Sequence, residues 1–192
     1  MKHLFFVLAL FAALGAAAQG SNSTRPVAPA LDKSPMDMAY YPVNYPMLKV
    51  QDKAAEPLLV RAIYSRPLKN GRNIFGDLVP YNEVWRLGAN EATEVEFFRD
   101  VRVGGKKLAK GKYTLYAIAT PQQWTLIFNK ETDTWGAFKY DEKKDVARVT
   151  VPVETLSESL EPFTLYFEKT AAGPVLVVAW DTQRVTLPIA VK

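Results

Sequence analysis

Thr93-Glu94-Val95-Glu96-Phe97, followed by Val101-Arg102-Val103-Gly104-Gly105-Lys106-Lys107-Leu108, decides the fold class. The first run alternates with period two, so Val95 and Phe97 share one face and Glu94 and Glu96 the other, as in a half-buried strand. Gly104-Gly105 supplies adjacent residues that tolerate positive φ, and the reading there is a tight hairpin. Working outward, Lys112 to Ile118 and Trp124 to Asn129 form a second strand pair joined through Thr120-Pro121-Gln122-Gln123. Upstream, Leu58 to Tyr64 is β-rich; downstream, strands are expected at Ala147 to Val153, Phe163 to Lys169, Val175 to Trp180 and Arg184 to Ile189. Short strands with turn chemistry between them, and no long segment of helical period, predict an all-β protein: one antiparallel β-sandwich, jelly-roll-like, with an extended N-terminal arm.

The chain opens Met1-Lys2-His3, runs apolar from Leu4 to Ala17 and presents Ala16-Ala17-Ala18 before Gln19. A charged start, a short apolar core and an A-x-A site are the parts of a secretory signal, with cleavage expected after Ala18. The predicted organisation is signal peptide 1–18, tether 19–33 and sandwich 34–192, the product residing in the periplasm or outside the cell with no transmembrane segment. Pro26, Pro29, Pro35, Pro42 and Pro46 disfavour a continuous helix and favour extended chain. The tract from Ser34 to Pro46 is too rich in Met and Tyr for a free linker. It is expected to lie on the surface as an ordered arm, either covering an apolar edge or forming one wall of a ligand groove.

Composition excludes much chemistry. The chain has no Cys and a single His, His3, which falls inside the expected signal. An imidazole-dependent triad, a thiolate nucleophile and a His/Cys metal centre are therefore all out of reach of the mature protein. No metal site and no cofactor are expected, and binding should be flat between pH 5 and 8. The formal net charge of +4, with basic residues spread along the chain, gives no case for nucleic acid.

Two long connections interrupt the strands, Arg66 to Asn90 and Lys130 to Asp145. Loops of that length in a compact domain are often functional. The first holds Tyr64-Ser65-Arg66-Pro67, Gly71-Arg72, Ile74 to Tyr81 and the run Val84-Trp85-Arg86-Leu87-Gly88-Ala89-Asn90-Glu91-Ala92-Thr93. With Gly111-Lys112-Tyr113-Thr114 and Trp135-Gly136, these strings resemble the domain of unknown function 2911 family of exported bacterial proteins, over roughly Leu58 to Lys169. Leu87 stands where a small polar residue is expected. The resemblance implies a β-rich fold and export, and it brings no established activity or catalytic residues.

On chemistry alone, Arg66, Arg72, Asp77, Glu83, Trp85, Arg86, Asn90 and Glu91 combine Arg forks, carboxylates, an amide and a flat aromatic, a set suited to a polar or carbohydrate ligand. Trp135, Phe138 and Tyr140 in the second loop could stack on sugar rings or anchor the loop. The competing reading is a structural network in which Arg66 and Arg86 pair with Asp77 and Glu91 while Trp85 fills the core. Asp133, Asp141, Glu142 and Asp145 match no calcium-loop pattern and read as a solvated acidic loop. The leading expectation is a non-catalytic exported binding or envelope-associated module. The alternatives are a glycan hydrolase using Glu83 and Glu91 as its two carboxylates, and a purely structural envelope protein.

Overall fold

The computed structural model describes residues 28 to 191, and its compact unit begins at Leu31. The expected signal segment and residues 19 to 27 of the tether lie outside the described residues. In chain order the elements are β1 (Met36–Tyr41), α1 (Tyr45–Val50), β2 (Val60–Ser65), β3 (Val84–Trp85), β4 (Glu94–Phe97), β5 (Val101–Val103), β6 (Lys106–Leu108), β7 (Gly111–Ala119), β8 (Gln123–Asn129), β9 (Asp145–Pro152), β10 (Glu154–Thr170) and β11 (Gly173–Val191). A 3-10 turn, Glu142–Lys144, precedes β9. Among the described residues no helix is long and apolar enough to cross a membrane.

The strands form two packed antiparallel sheets, a sandwich as the alternation predicts. One is seven-stranded, in the order β1-β2-β4-β7-β8-β9 with β3 added against β7; the other is β10-β11-β5-β6. Val95, Phe97, Leu115, Leu126 and Phe128 point inward from the first sheet and meet Phe163, Leu165, Val178, Trp180 and Leu187 from the second. The Gly104-Gly105 turn joins β5 to β6, with φ of 52° and 77° at the two glycines. Those angles are what a two-residue hairpin turn requires.

Three elements depart from the expected pattern. Tyr45–Val50 is a short helix rather than extended chain, because Pro46 falls in its first turn, where no intrahelical N–H is needed. The segments Val175 to Trp180 and Arg184 to Ile189 are one strand, β11. The turn-like residues between them make a bulge: Asp181 adopts φ 51° while its carboxylate accepts from Lys69 Nζ at 2.6 Å and Ser159 Oγ at 2.7 Å. β10 begins at Glu154, well before Phe163, because its exposed polar first half carries no alternating apolar signal.

The arm is built into the sandwich. β1 pairs with β2, Met38 opposite Ile63, and so covers that sheet edge while burying Ala39 and Tyr41. Its other edge, together with Thr164 to Phe167 of β10, walls a groove of about 310 Å³.

The hairpin glycines are not equivalent. A Cβ on Gly104 would overlap the Val149 side chain of β9, whereas one on Gly105 meets nothing within 4 Å. Gly105→Ala is expected to cost only the left-handed backbone penalty of about 1–2 kcal/mol. Gly104→Ala should cost about 1–3 kcal/mol more through overpacking, a difference that urea unfolding of the two variants would measure; equal losses would contradict this packing.

Candidate functional site

The two long connections meet on the outer face of the seven-stranded sheet. There, Ala92, Tyr116 and Ile127 form a small second core, packed against Val84, Ile118, Ala137 and Tyr140. Alternation along β7 and β8 explains its origin: Leu115 and Leu126 point between the sheets, so Tyr116 and Ile127 point outward and need cover. The Lys130 to Asp145 loop provides that cover.

Backbone hydrogen bonds join one connection to the other. Ala92 N–H donates to the Thr134 carbonyl at 3.0 Å and Gly136 N–H to the Asn90 carbonyl at 2.9 Å, around a bridge between Glu91 and Trp135. Arg86 Nη1 reaches the same Asn90 carbonyl at 3.3 Å. The strand–loop junction is shaped by left-handed backbone at Leu87 (φ 54°) and Asn90 (φ 58°), with Gly88 at φ 149° between them. Thr93 closes the loop by donating its hydroxyl to the Leu87 carbonyl at 2.5 Å.

The candidate residues separate into groups. Arg86, Asn90, Glu91 and Trp135 are brought together. Arg66 is elsewhere, its Nη1 3.0 Å from Asp37 of β1, and so does not pair with Asp77. Likewise Arg86 bonds a carbonyl and not the Glu91 carboxylate. Arg72 is exposed and folds back on the carbonyls of Leu68 and Lys69, at 2.5 and 2.9 Å, while Asp77 accepts from Asn73 at 3.1 Å. Trp85 belongs to the main core, its indole N–H donating to the Gly88 carbonyl at 3.1 Å. Glu83 and Glu91 line different clefts. Among the described residues no group of three or more His, Cys, Asp or Glu is placed to hold a metal ion.

A cleft of about 540 Å³ opens beside Trp135, which is 60% exposed. Its walls include Tyr116, Thr132, Thr134 and Phe138, with Asp133, Lys139 and Lys144 around it. Apart from Tyr116, Trp135 and Phe138 these residues carry no aromatic or Arg signal, and only the folded loop assembles them. Lys112 Nζ lies 2.8 Å from Asp133 and 3.2 Å from Glu94. The hydrogen bond to Asp133 holds Lys112 above its ordinary pKa, and the same bond holds Asp133 below the usual carboxylate range. A hydrogen bond to Glu131 similarly raises Lys144. These rim charges therefore stay fixed through neutral pH.

Tyr140 lies beneath the loop, not at the cleft. Its ring meets Tyr116 edge-on at 5.2 Å between centroids. Its hydroxyl donates to Asp145 at 2.6 Å, and Asp145 also accepts from Asn129 and Arg148, each at 2.7 Å.

The family model described as Protein of unknown function (DUF2911) matches residues 46–189, from α1 into β11 and through both loops. The chain belongs to that family. No curated protein and no solved structure matches it. Within this DUF2911 chain the run from Trp85 to Thr93 is thus a core anchor followed by a tightly hydrogen-bonded loop.

Burial, with the hydrogen bond to Asp145, pushes the Tyr140 phenol up to about 12. The folded state therefore favours the neutral phenol. Its contribution is fully present below the unfolded phenol pKa of about 10 and is lost as pH rises towards the folded value. Tyr140→Phe is expected to lower stability at pH 7 by about 1.5–3 kcal/mol, the loss of a hydrogen bond to a charged acceptor. Urea unfolding at pH 7 and above pH 10 would check this, since the gap between the two proteins should narrow only in the alkaline range.

Proposed function

We propose that this protein is a non-catalytic exported binding module, and that its ligand is a polar, carbohydrate-like molecule held in the cleft beside Trp135. The observation that carries the reading is a large, half-exposed indole on a loop tied down by backbone hydrogen bonds, beside a cleft lined by threonines and charged residues. Aromatic faces take the apolar faces of sugar rings, and a few convergent polar groups orient the hydroxyls. Holding Trp135 in place before binding reduces the ordering cost of association.

Turnover finds less support. A glycoside-cleaving pair must flank one bond, with its carboxyl groups about 5–9.5 Å apart, and Glu83 and Glu91 open into separate clefts. Export follows from the N-terminal segment of the sequence, whose charged start, apolar run and small-residue site have the form of a secretory signal.

A glycan array probed with tag-free protein, followed by tryptophan fluorescence titration of the hits, tests the reading. The expected result is saturable binding without cleavage, unchanged between pH 5 and 8. Trp135→Ala should weaken it by about 2 kcal/mol, roughly thirtyfold. Polysaccharide cleavage that is lost in Glu83→Gln or Glu91→Gln would replace the module with a hydrolase, and silence in both assays would leave a structural protein.

A further inference from the structure

Phe138 is 82% exposed and lines two clefts at once. On one side is the cleft beside Trp135, of about 540 Å³; on the other a depression of about 410 Å³ is walled by Leu78, Pro80, Glu83 and Arg86. Either volume alone falls within the roughly 300–1,000 Å³ typical of a site for one small molecule. A single small ligand would fill one cleft and leave the other open.

The ring lies close over Gly136. Gly136 has φ 68°, and a Cβ there would lie 2.7 Å from the Phe138 ring and 3.3 Å from Arg86 Nη1. Phe138 and the Arg86 guanidinium thus converge on a backbone that only glycine leaves open, and Gly136 N–H is itself bonded to Asn90. Burying a phenylalanine stabilises a fold, yet this one stands in solvent between two clefts.

Charge adds a second, independent observation. Lys112 and Lys144 are paired with Asp133 and Glu131. Among the described residues neither Arg86 nor Lys139 has a carboxylate within 4 Å. Arg86 borders the smaller cleft, whose lining carboxylate Glu83 lies beyond ion-pair distance of it, and Lys139 the larger, so a cation outside any ion pair borders each of the two clefts.

We propose that the two clefts are adjoining subsites of one elongated site for an acidic oligosaccharide, a chain of sugar units bearing carboxylate or sulfate groups that crosses Phe138. The ring stacks beneath a central unit while Arg86 and Lys139 meet anionic groups on either side. This inference rests on the carbohydrate-module reading and narrows it to a ligand class.

The test is binding of the full mature protein to an array of uronic-acid, sulfated and neutral oligosaccharides, each as a length series from the monosaccharide upward. Acidic tetrasaccharides are expected to bind at least about tenfold more tightly than their monosaccharides and their neutral or methyl-esterified counterparts. Phe138→Ala, at an exposed position, should remove the dependence on length, and Lys139→Gln should reduce the preference for acidic over neutral chains. Equal affinity for monomer and tetramer, or for acid and ester, would overturn the inference while leaving a carbohydrate module in place. Unchanged length dependence in Phe138→Ala would overturn it as well. If no glycan on the array binds, both this inference and the reading beneath it fail.

Discussion

The wedge of Trp85 between the two sheets is the contact on which the rest of the molecule depends. Its indole meets Trp124 at 5.7 Å, Phe163 at 5.4 Å, Trp180 at 6.0 Å and Phe75 at 6.3 Å between ring centroids. Each such pair contributes about 0.5–1.5 kcal/mol beyond the area it buries. The polar ends of the three indoles are also satisfied, by the Gly88 carbonyl, the Gln183 amide and the Glu161 carbonyl. One residue of a long connection is thereby fixed into the centre of the sandwich from both sheets.

The residues after Trp85 inherit that rigidity. Leu87 is fully buried, and a Cβ on Gly88 would lie 3.2 Å from the Ser65 carbonyl, so the chain passes close against β2 before turning outward. Asn90 then presents its carbonyl to both Arg86 and Gly136. The polar residues of this motif act through backbone placement more than through side-chain pairing. Their effect is to carry order from the core to the second loop, which brings Trp135 and Phe138 to the surface.

The strands with a buried face were legible from their apolar residues: β4 shows strict alternation, whereas β7 and β8 read as longer apolar runs because Tyr116 and Ile127 on their outer face are buried as well. The first half of β10 was not, since its residues face water and its polar pairs with β11, such as Glu154 with Arg184, carry no apolar alternation. β11 read as two strands because Asp181 to Gln183 has the composition of a turn, and only Lys69 and Ser159, distant in sequence, show that it is a bulge. At the site, length marked both loops as candidates, and their meeting is visible only in the backbone hydrogen bonds between them. The ion pairs were no more legible. Arg66 finds Asp37 because β1 lies beside β2, a neighbour that no local pattern around Arg66 announces. The same holds for the Thr132, Asp133 and Lys139 side chains of the cleft, which are ordinary loop residues until the loop closes over Tyr116 and Ile127.

The central claim is that the two long connections form one ordered unit anchored through Trp85, and amide hydrogen exchange of the protein tests it most directly. The Ala92 and Gly136 amides, which bond across the loops to Thr134 and Asn90, are predicted to be protected to within about an order of magnitude of the amides in β7 and β8, since they should open only with the strands beneath them. Free exchange at Ala92 and Gly136 while β7 and β8 remain protected would contradict the account, because the loops would then move independently of the core that is said to hold them.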